Sequence, residues 1–557
     1  MSTISHDRAA RPVETGRTIF DYADELAVEV PTSCGRAGRC HECVVEVSRG
    51  MAALSAPSAA ESFLRGDWRL ACQAVIERDD IDISFAPLRR RPRILEDSDG
   101  EDAVPELDPA VRRHGDAVLY DGQVIDRWRG ALYGLAVDLG TTTVVADFVD
   151  LESGRSVHRI GFENPQRFGG SDVMNRISYD TGPNRGELQQ AAVTALNREL
   201  RRAAREHGIA RQAVYEIVIA GNTTMRDILF GLDVASVGQK PYKSLVENDW
   251  RAGRRATTAL TCEAWSLGLR ANRRARVYGL PLIASHVGGD TAADLVATDF
   301  AALAEHSVVM LVDMGTNTEV VVGHRGRLVA ASCPAGPAFE GGLVAYGMAA
   351  YDGAIERIEL DPASGLFRYQ TIADAPAQGL CGSGLIDLLA ELRRHGRMTA
   401  KGVFADDRRK FLIEVVPERG ITFSKADASA LAQAKAANYC GQLIVLRTLG
   451  LDPGAVERLF LAGGFATYVD TANAIDIGLL APVPEAAVVK VGNAALRGAR
   501  EVLLSLPKRR RLEALVQRIE HVELETTPDF FDLFVDGCQF RPMPDVLTPP
   551  PQQRTAG

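Results

Sequence analysis

The chain is 557 residues long, several times the roughly 100–200 residues of one domain, so three or four folded units are expected. Hydrophobic residues make up 46% and charged residues 24%, a composition that excludes a largely disordered chain. The net charge of −10 argues against a phosphate-backbone binder, and no apolar run approaches the ~18 residues of a spanning helix. The N-terminus is polar and has no apolar signal core, so a cytoplasmic protein with no nucleic-acid or membrane partner is expected.

Nine cysteines are too few, and odd in number, for a disulfide scaffold of this length. Cys262, Cys333, Cys381, Cys440 and Cys538 are scattered and read as small buried apolar residues. The other four, Cys34, Cys40, Cys43 and Cys72, are spaced C-x5-C-x2-C-x28-C. Three thiolates on one loop and a fourth downstream suit a 2Fe-2S cluster, with the first gap one residue longer than in the plant-type spacing. Gly35 and Gly38 let such a loop wrap tightly and aim N–H groups at sulfur. Zinc competes, because Cys40-x2-Cys43 is a common knuckle, but zinc sites pair one CxxC with a second close pair and Cys72 stands alone. The flanks read as a β-grasp: a strand-to-helix start at 18–23, strands at 44–47 and 81–85, and a 68–73 segment like the one carrying the fourth ligand in ferredoxins. His41 is expected to face solvent. Arg36 and Arg39 are expected to be solvated or to meet an acidic redox partner.

Residues 87–93 are basic and 96–102 acidic, and with Pro105 and Pro109 they mark a change of domain before a small unit at about 111–129. From residue 131 the pattern is α/β. Asp-x-Gly-Thr-x-Thr begins at Asp138 and again at Asp313, 175 residues apart, each time between apolar strands. The repeat predicts two similar halves facing one another. Each turn offers N–H groups and hydroxyls to phosphate, which makes Gly140, Thr141, Thr142, Thr143, Gly315, Thr316 and Asn317 candidate nucleotide ligands. Asp138 and Asp313, at strand ends, are candidates to hold Mg2+ through water. The absence of any Gly-x4-Gly-Lys-Ser/Thr stretch excludes a P-loop. Gly463 and Gly464, after an apolar strand at 458–461, permit close approach of adenosine. Gly382, Ser383 and Gly384 open a helix at 385–392 whose N-terminus can face a nucleotide.

In these segments the chain resembles the actin, sugar-kinase and Hsp70 superfamily. More narrowly, it is similar to the reductive activators of corrinoid proteins, which join a 2Fe-2S domain to such an ATPase. The specific segments are Asn164-Pro165-Gln166 with Gly170-Ser171-Asp172-Val173, Ala220-Gly221-Asn222-Thr223-Thr224-Met225, and Val287-Gly288-Gly289-Asp290. Further along come Ala335-Gly336-Pro337-Ala338-Phe339-Glu340-Gly341, Gly492-Asn493-Ala494 and Pro528-Asp529-Phe530. The chain departs from the family pattern at Ala466, where glycine is usual, and at His41-Glu42, where Gly-Lys is usual.

The expected architecture is an α+β N-terminal β-grasp ferredoxin domain at 1–88, a small linker domain at 89–130, and a duplicated α/β actin-like (ASKHA, RNase H-like) ATPase at 131–305 and 306–545. A disordered tail at 546–557 completes it. The resemblance implies ATP-dependent electron transfer from the cluster to cob(II)alamin on the corrinoid protein of a methyltransferase system, regenerating cob(I)alamin, with an upstream low-potential electron donor. ATP and Mg2+ are the other implied cofactors, and a homodimer is compatible with it. Asp290, Asp138 and Asp313 are the candidate catalytic residues. The superfamily places a catalytic polar residue near Asp290, to orient or deprotonate the attacking water, and an N-cap role for Asp290 is compatible with that. Asn222 is implied to line the cleft, while Glu319 is read either as a contact of metal-bound water or as a strand-surface residue. Three other readings stand beside this one: an electron donor to another low-potential metalloenzyme, a small-molecule kinase with a redox-sensing ferredoxin domain, and a chaperone-like ATPase with a structural cluster.

Overall fold

The first sheet has the strand order Ala9–Pro12, Thr3–His6, Ile83–Pro87, Val44–Arg49, Trp68–Leu70. Ile83–Pro87 runs parallel to Thr3–His6 and antiparallel to Val44–Arg49, so the strand expected to close this unit is instead its centre. The computed structural model describes residues 2–6, 9–32, 34–88, 106–405, 412–464 and 466–547. The charge runs beyond Leu88, together with Ser33, Pro105, Phe465 and the end of the tail, lie outside the described residues. The helix Ile19–Glu25 starts where Thr18 Oγ1 accepts from the Asp21 N–H (3.2 Å) and Asp21 accepts from the Thr18 N–H (2.9 Å). Such a reciprocal cap stabilises a helix start by about 1 kcal/mol. Its apolar side, Ile19, Phe20 and Tyr22, buries into one core with Val45, Val47 and Phe85.

The small unit expected before residue 130 is a three-stranded antiparallel sheet, Val111–His114, Ala117–Tyr120 and Gln123–Arg127. Two six-stranded sheets follow. The first runs Ser156–Glu163, Thr143–Asp150, Tyr133–Leu139, Val214–Ala220, Arg276–Gly279, Leu260–Glu263. The second runs Glu520–His521, Arg327–Cys333, Thr318–His324, Val309–Met314, Arg458–Ala462, Val488–Gly492. In each, an antiparallel three-strand meander is extended by parallel strands on the side of its first strand. The registers coincide: Asp138 lies beside Ala220, and Asp313 beside Ala462. The repeat read in the sequence is therefore a repeat of the fold, and it places the two aspartates at equivalent points.

The helices Gly289–Ala297 and Ala494–Leu504 share one core with Ala136 and Val218 of the first sheet and Leu311 and Phe460 of the second. They touch closely: a Cβ on Gly498 would come 2.0 Å from the Ala293 carbonyl oxygen. The helix Ala494–Leu504 lies in the segment assigned to the second half, yet it packs on Tyr133–Leu139 and Val214–Ala220. A boundary at 305/306 thus separates the two sheets but not the two packed bodies. Among the described residues no helix is long and apolar enough to cross a membrane.

Candidate functional site

The four N-terminal cysteines converge. Cys43 and Cys72 are buried with their sulfurs 3.4 Å apart, and the Thr32 hydroxyl lies 4.0 Å from the sulfur of Cys34 and 3.9 Å from that of Cys40. Cys72 is delivered by the strand Trp68–Leu70, which a buried ion pair pins: Arg69 Nε donates to Glu61 Oε1 at 2.8 Å, and the Leu70 N–H donates to the same oxygen at 3.0 Å. Backbone N–H groups of Arg39, Cys40 and Ala37 point at Cys34 and, with the Cys40 thiol, pull its pKa from 9.0 down to about 6. Cys72 falls to about 6 as well, chiefly through its hydrogen bond with Cys43, then through Gln73 and the Gly38 N–H, while Cys43 is driven up by the same thiol contact and by burial. Gly38 sits at φ +68°, and a Cβ there would lie 3.0 Å from Ala60 Cβ, so the loop closes this tightly only with glycine. Among the described residues no three metal-ligating side chains converge on one ion position. The thiols instead form two pairs, Cys34 with Cys40 and Cys43 with Cys72. A two-iron cluster asks for two thiolates per iron, whereas zinc asks for four ligands about one point, so this donor set fits 2Fe-2S.

His41 is not solvent-facing. It is half-buried, stacks on Phe63 with centroids 4.2 Å apart, and sets Nδ1 3.1 Å from Glu187 Oε2 on the helix Glu187–Glu206. The cluster loop is therefore docked on the first α/β half, an attachment completed by the Tyr179 hydroxyl donating to the Phe63 carbonyl at 2.6 Å. Arg36 does not present a free charge either: it bonds Asp21 at 3.2 Å, pairs with Asp24 and covers the Phe20 ring.

The second site is a cavity of about 230 Å³ between the two halves. Asp138 and Asp313 enter it from equivalent strand ends, and Gly140, Thr141, Thr142, Thr143, Gly315, Thr316, Asn317, Gly463 and Gly464 line it. The two threonine turns meet, with Thr142 Oγ1 and Thr316 Oγ1 3.3 Å apart and both donating to Glu340 Oε2, at 3.3 and 2.6 Å. Asn222 Nδ2 donates to Thr141 Oγ1 at 2.9 Å, and Asn493 Nδ2 donates to Asp138 Oδ2 at 2.8 Å. Gly382 joins the lining, but Ser383 and Gly384 do not. Ser383 Oγ donates to the Glu356 carbonyl at 2.9 Å, and a Cβ on Gly384 would lie 2.2 Å from the Ile355 carbonyl oxygen. Those two residues seat the helix Gly382–Arg394 on the strand Ala354–Leu360 and leave no group for a ligand.

Asp290, Asp294 and Glu319 complete a ring of carboxylates with Asp138 and Asp313. Asp290 is not the N-cap: Gly288 is, and Asp290 lies in the first turn, accepting from the Thr291 N–H at 2.9 Å. Glu319 is a buried cleft residue held by Ser332 Oγ at 2.9 Å, not a strand-surface one. Asp294 is fully buried, and neither of its oxygens receives a donor. Burial, then like charge, drives Asp138 and Asp290 from 3.8 up to about 7, and pushes Asp294 and Glu319 well up too. The described lining contains no lysine or arginine. No three of these carboxylates converge on one ion position, so they suit a hydrated Mg2+ held through its water shell, and the paired Gly-Thr turns are the part that phosphate takes. The i+4 spacing of Asp294 from Asp290, which puts both on one helix face, is the only sequence signal for Asp294; Glu340 and Asn493 carry no local signal of their own.

Three family models match in series: a 2Fe-2S iron-sulfur cluster binding domain over residues 3–77, the RACo middle region over 133–302, and the C-terminal domain of RACo, the ASKHA domain, over 307–549. The chain belongs to the RACo family. A solved RACo-type structure, the reductive activator for a corrinoid, iron-sulfur protein, is 27% identical and superposes with a TM-score of 0.67, covering 97% of this chain and 98% of its own. The corrinoid activation enzyme RamQ of Eubacterium limosum is 26% identical across 94% of this chain and 96% of its own length. A Methanosarcina barkeri reductase of the Co(II) methylated amine-specific corrinoid protein is 24% identical across 72% and 76%. The RACo order of domains is the order seen here, from ferredoxin unit to duplicated ASKHA halves.

Proposed function

We propose that this protein is an ATP-dependent reductase of a corrinoid protein, passing one electron from a 2Fe-2S cluster to cob(II)alamin and so regenerating cob(I)alamin for methyl transfer. The observation that carries this reading is the junction between the two sites. Glu46, three residues past Cys43, pairs with Arg167; Arg167 pairs with Glu163 at 2.5 Å; and Glu163 accepts from the hydroxyl of Tyr351, which lines the cleft. Four side chains connect the carboxylate cleft to the strand that leaves the cluster loop. A lone electron carrier needs no such cleft, and a lone ATPase needs no such thiols. Their joining supports energy-coupled electron transfer.

In this reading Cys34, Cys40, Cys43 and Cys72 hold the cluster, which when bound supplies a one-electron carrier at roughly −400 mV. Asp138, oriented by Asn493, and Asp313 would hold Mg2+ through water, and its charge would offset that of the phosphates. The Thr142 and Thr316 hydroxyls exchange Glu340 for phosphate oxygens. Asp290 receives the proton of the attacking water as the bond between the terminal phosphorus and ADP breaks, and a pKa near 7 suits a base working at neutral pH. For a one-electron step each ~59 mV uphill is a factor of ten in equilibrium. Nucleotide turnover offsets it by altering the contacts of Glu46 with Arg167 and of His41 with Glu187.

The test is anaerobic reduction of a cob(II)alamin-bearing protein followed by its visible absorption. Cob(I)alamin is expected to form only with reductant, ATP and Mg2+ together. Equal reduction without nucleotide would remove the coupling.

A further inference from the structure

A second cavity, of about 670 Å³, lies where the ferredoxin unit meets the α/β halves, with Glu46, Arg65 and Trp68 on one side and Arg167, Arg176 and Leu343 on the other. It shares Thr142 and Glu340 with the nucleotide cleft, so the two spaces meet at the paired threonine turns. Arg176, on the helix Val173–Asp180, is 1% exposed. Its Nε donates to the Gly170 carbonyl at 3.0 Å and its Nη1 lies 3.0 Å from the Met225 sulfur, but among the described residues it makes no ion pair. A guanidinium stays charged in a protein, so this is a buried cation with no anion in contact among the described residues. The nearest charges felt there are Asp172, Glu340 and, repulsively, Arg167. Gly170, at φ +140°, closes the turn that Arg176 bonds; a Cβ there would meet Asn175 Cβ at 2.3 Å. Arg167 stands with its guanidinium 4.8 Å from the Trp68 ring centre and is the partner of Glu46.

We propose that this cavity is an oxyanion site that holds the phosphate released from the nucleotide, with Arg176 as its buried anchor and Arg167 as the residue through which its filling reaches the ferredoxin unit. The proposal rests on, and deepens, the ATPase reading above. Hydrolysis leaves a phosphate dianion in a cleft ringed by carboxylates and lined by no basic side chain. The carboxylates repel a phosphate no longer held by Mg2+, and the nearest basic side chains lie beyond Thr142 and Glu340, whose hydrogen bond the phosphate displaces. Arginine's planar fork matches a tetrahedral oxyanion, and a charge-assisted pair in a buried place is strong. A phosphate there draws Arg167 away from Glu46 and loosens the grip on the strand next to the cluster.

The test uses the full-length protein with its cluster. Inorganic phosphate titrated calorimetrically into the protein with ADP and Mg2+ is expected to bind at one site per chain. Arg176→Gln should weaken it at least tenfold while ADP affinity stays within twofold. In a single turnover of ATP, a fluorescent phosphate sensor set against chemical quench should show release lagging behind cleavage, with the lag shortened tenfold or more by Arg176→Gln. Arg167→Lys, which keeps the charge but loses the fork, is the second variant should Arg176→Gln not fold, and it should give an intermediate loss. Phosphate binding at full strength in the variants overturns the site. Binding from solution with the same lag in wild type and variant also overturns it, because the phosphate held would not be the product. Failure of ATP turnover would defeat the ATPase reading, yet the titration would still decide whether Arg176 holds phosphate.

Discussion

Replacing Asp138 by Asn tests the carboxylate ring with opposite signs in two conditions. Asn493 Nδ2 donates to Asp138 Oδ2 at 2.8 Å, and an Asn oxygen at 138 keeps that bond, so the change removes charge and little else. In the metal-free fold the Asp138 carboxyl has its pKa raised from 3.8 to about 7, first by burial and then by Asp290 and Asp313. Because the folded-state value lies above the unfolded one, the penalty for carrying this charge is absent below about pH 4 and complete above about pH 7. It amounts to roughly 4 kcal/mol, since each pKa unit is worth ~1.36 kcal/mol. Asp138→Asn should therefore melt higher than wild type in chelator at pH 8, by on the order of 5–10 °C, and level with wild type at pH 4. With Mg2+ and ATP the order should invert, since wild type gains stability by ligand linkage and the variant does not. Thermal melts of both proteins across pH 4–8, with chelator and with Mg-ATP, are the measurement. A variant no more stable than wild type at pH 8 in chelator, or one that gains as much from Mg-ATP, refutes the reasoning.

Cys40→Ser should bleach the cluster's visible absorption while calorimetric ATP affinity stays within twofold, because the thiol loop and the cleft share no residue. Glu340→Gln removes a negative charge beside the phosphate turns and should tighten ATP binding by up to about tenfold at pH 8; weaker binding would mean that Glu340 serves the ligand rather than competing with it. His41→Ala keeps all four thiols but loses the Phe63 stack and the Glu187 contact. Amide exchange across residues 187–191 should then speed up by about tenfold, the factor given by ~1.4 kcal/mol of local stability, with cluster absorption unchanged. Unchanged exchange there would show that the docking does not depend on His41.

The sequence by itself determined whatever rests on local chemistry and on repetition. Cysteine spacing defined the cluster loop, because three ligands on one tight turn must be close in sequence. The doubled Asp-x-Gly-Thr-x-Thr defined two halves with one topology, because a strand, a turn and the next strand are one local unit. Only the tertiary structure decided which glycines face a ligand. Gly382 and Gly384 belong to one short motif, yet one lines the cleft and the other exists to let a helix approach a strand. It alone revealed Glu340 between the two turns, the docking of His41 on Glu187, and Arg176 buried with no ion-pair partner among the described residues. Each of these depends on separate elements being brought together by tertiary packing, the threonine turns by the two halves and the cluster loop by its docking on the helix Glu187–Glu206, and no local pattern encodes that distance.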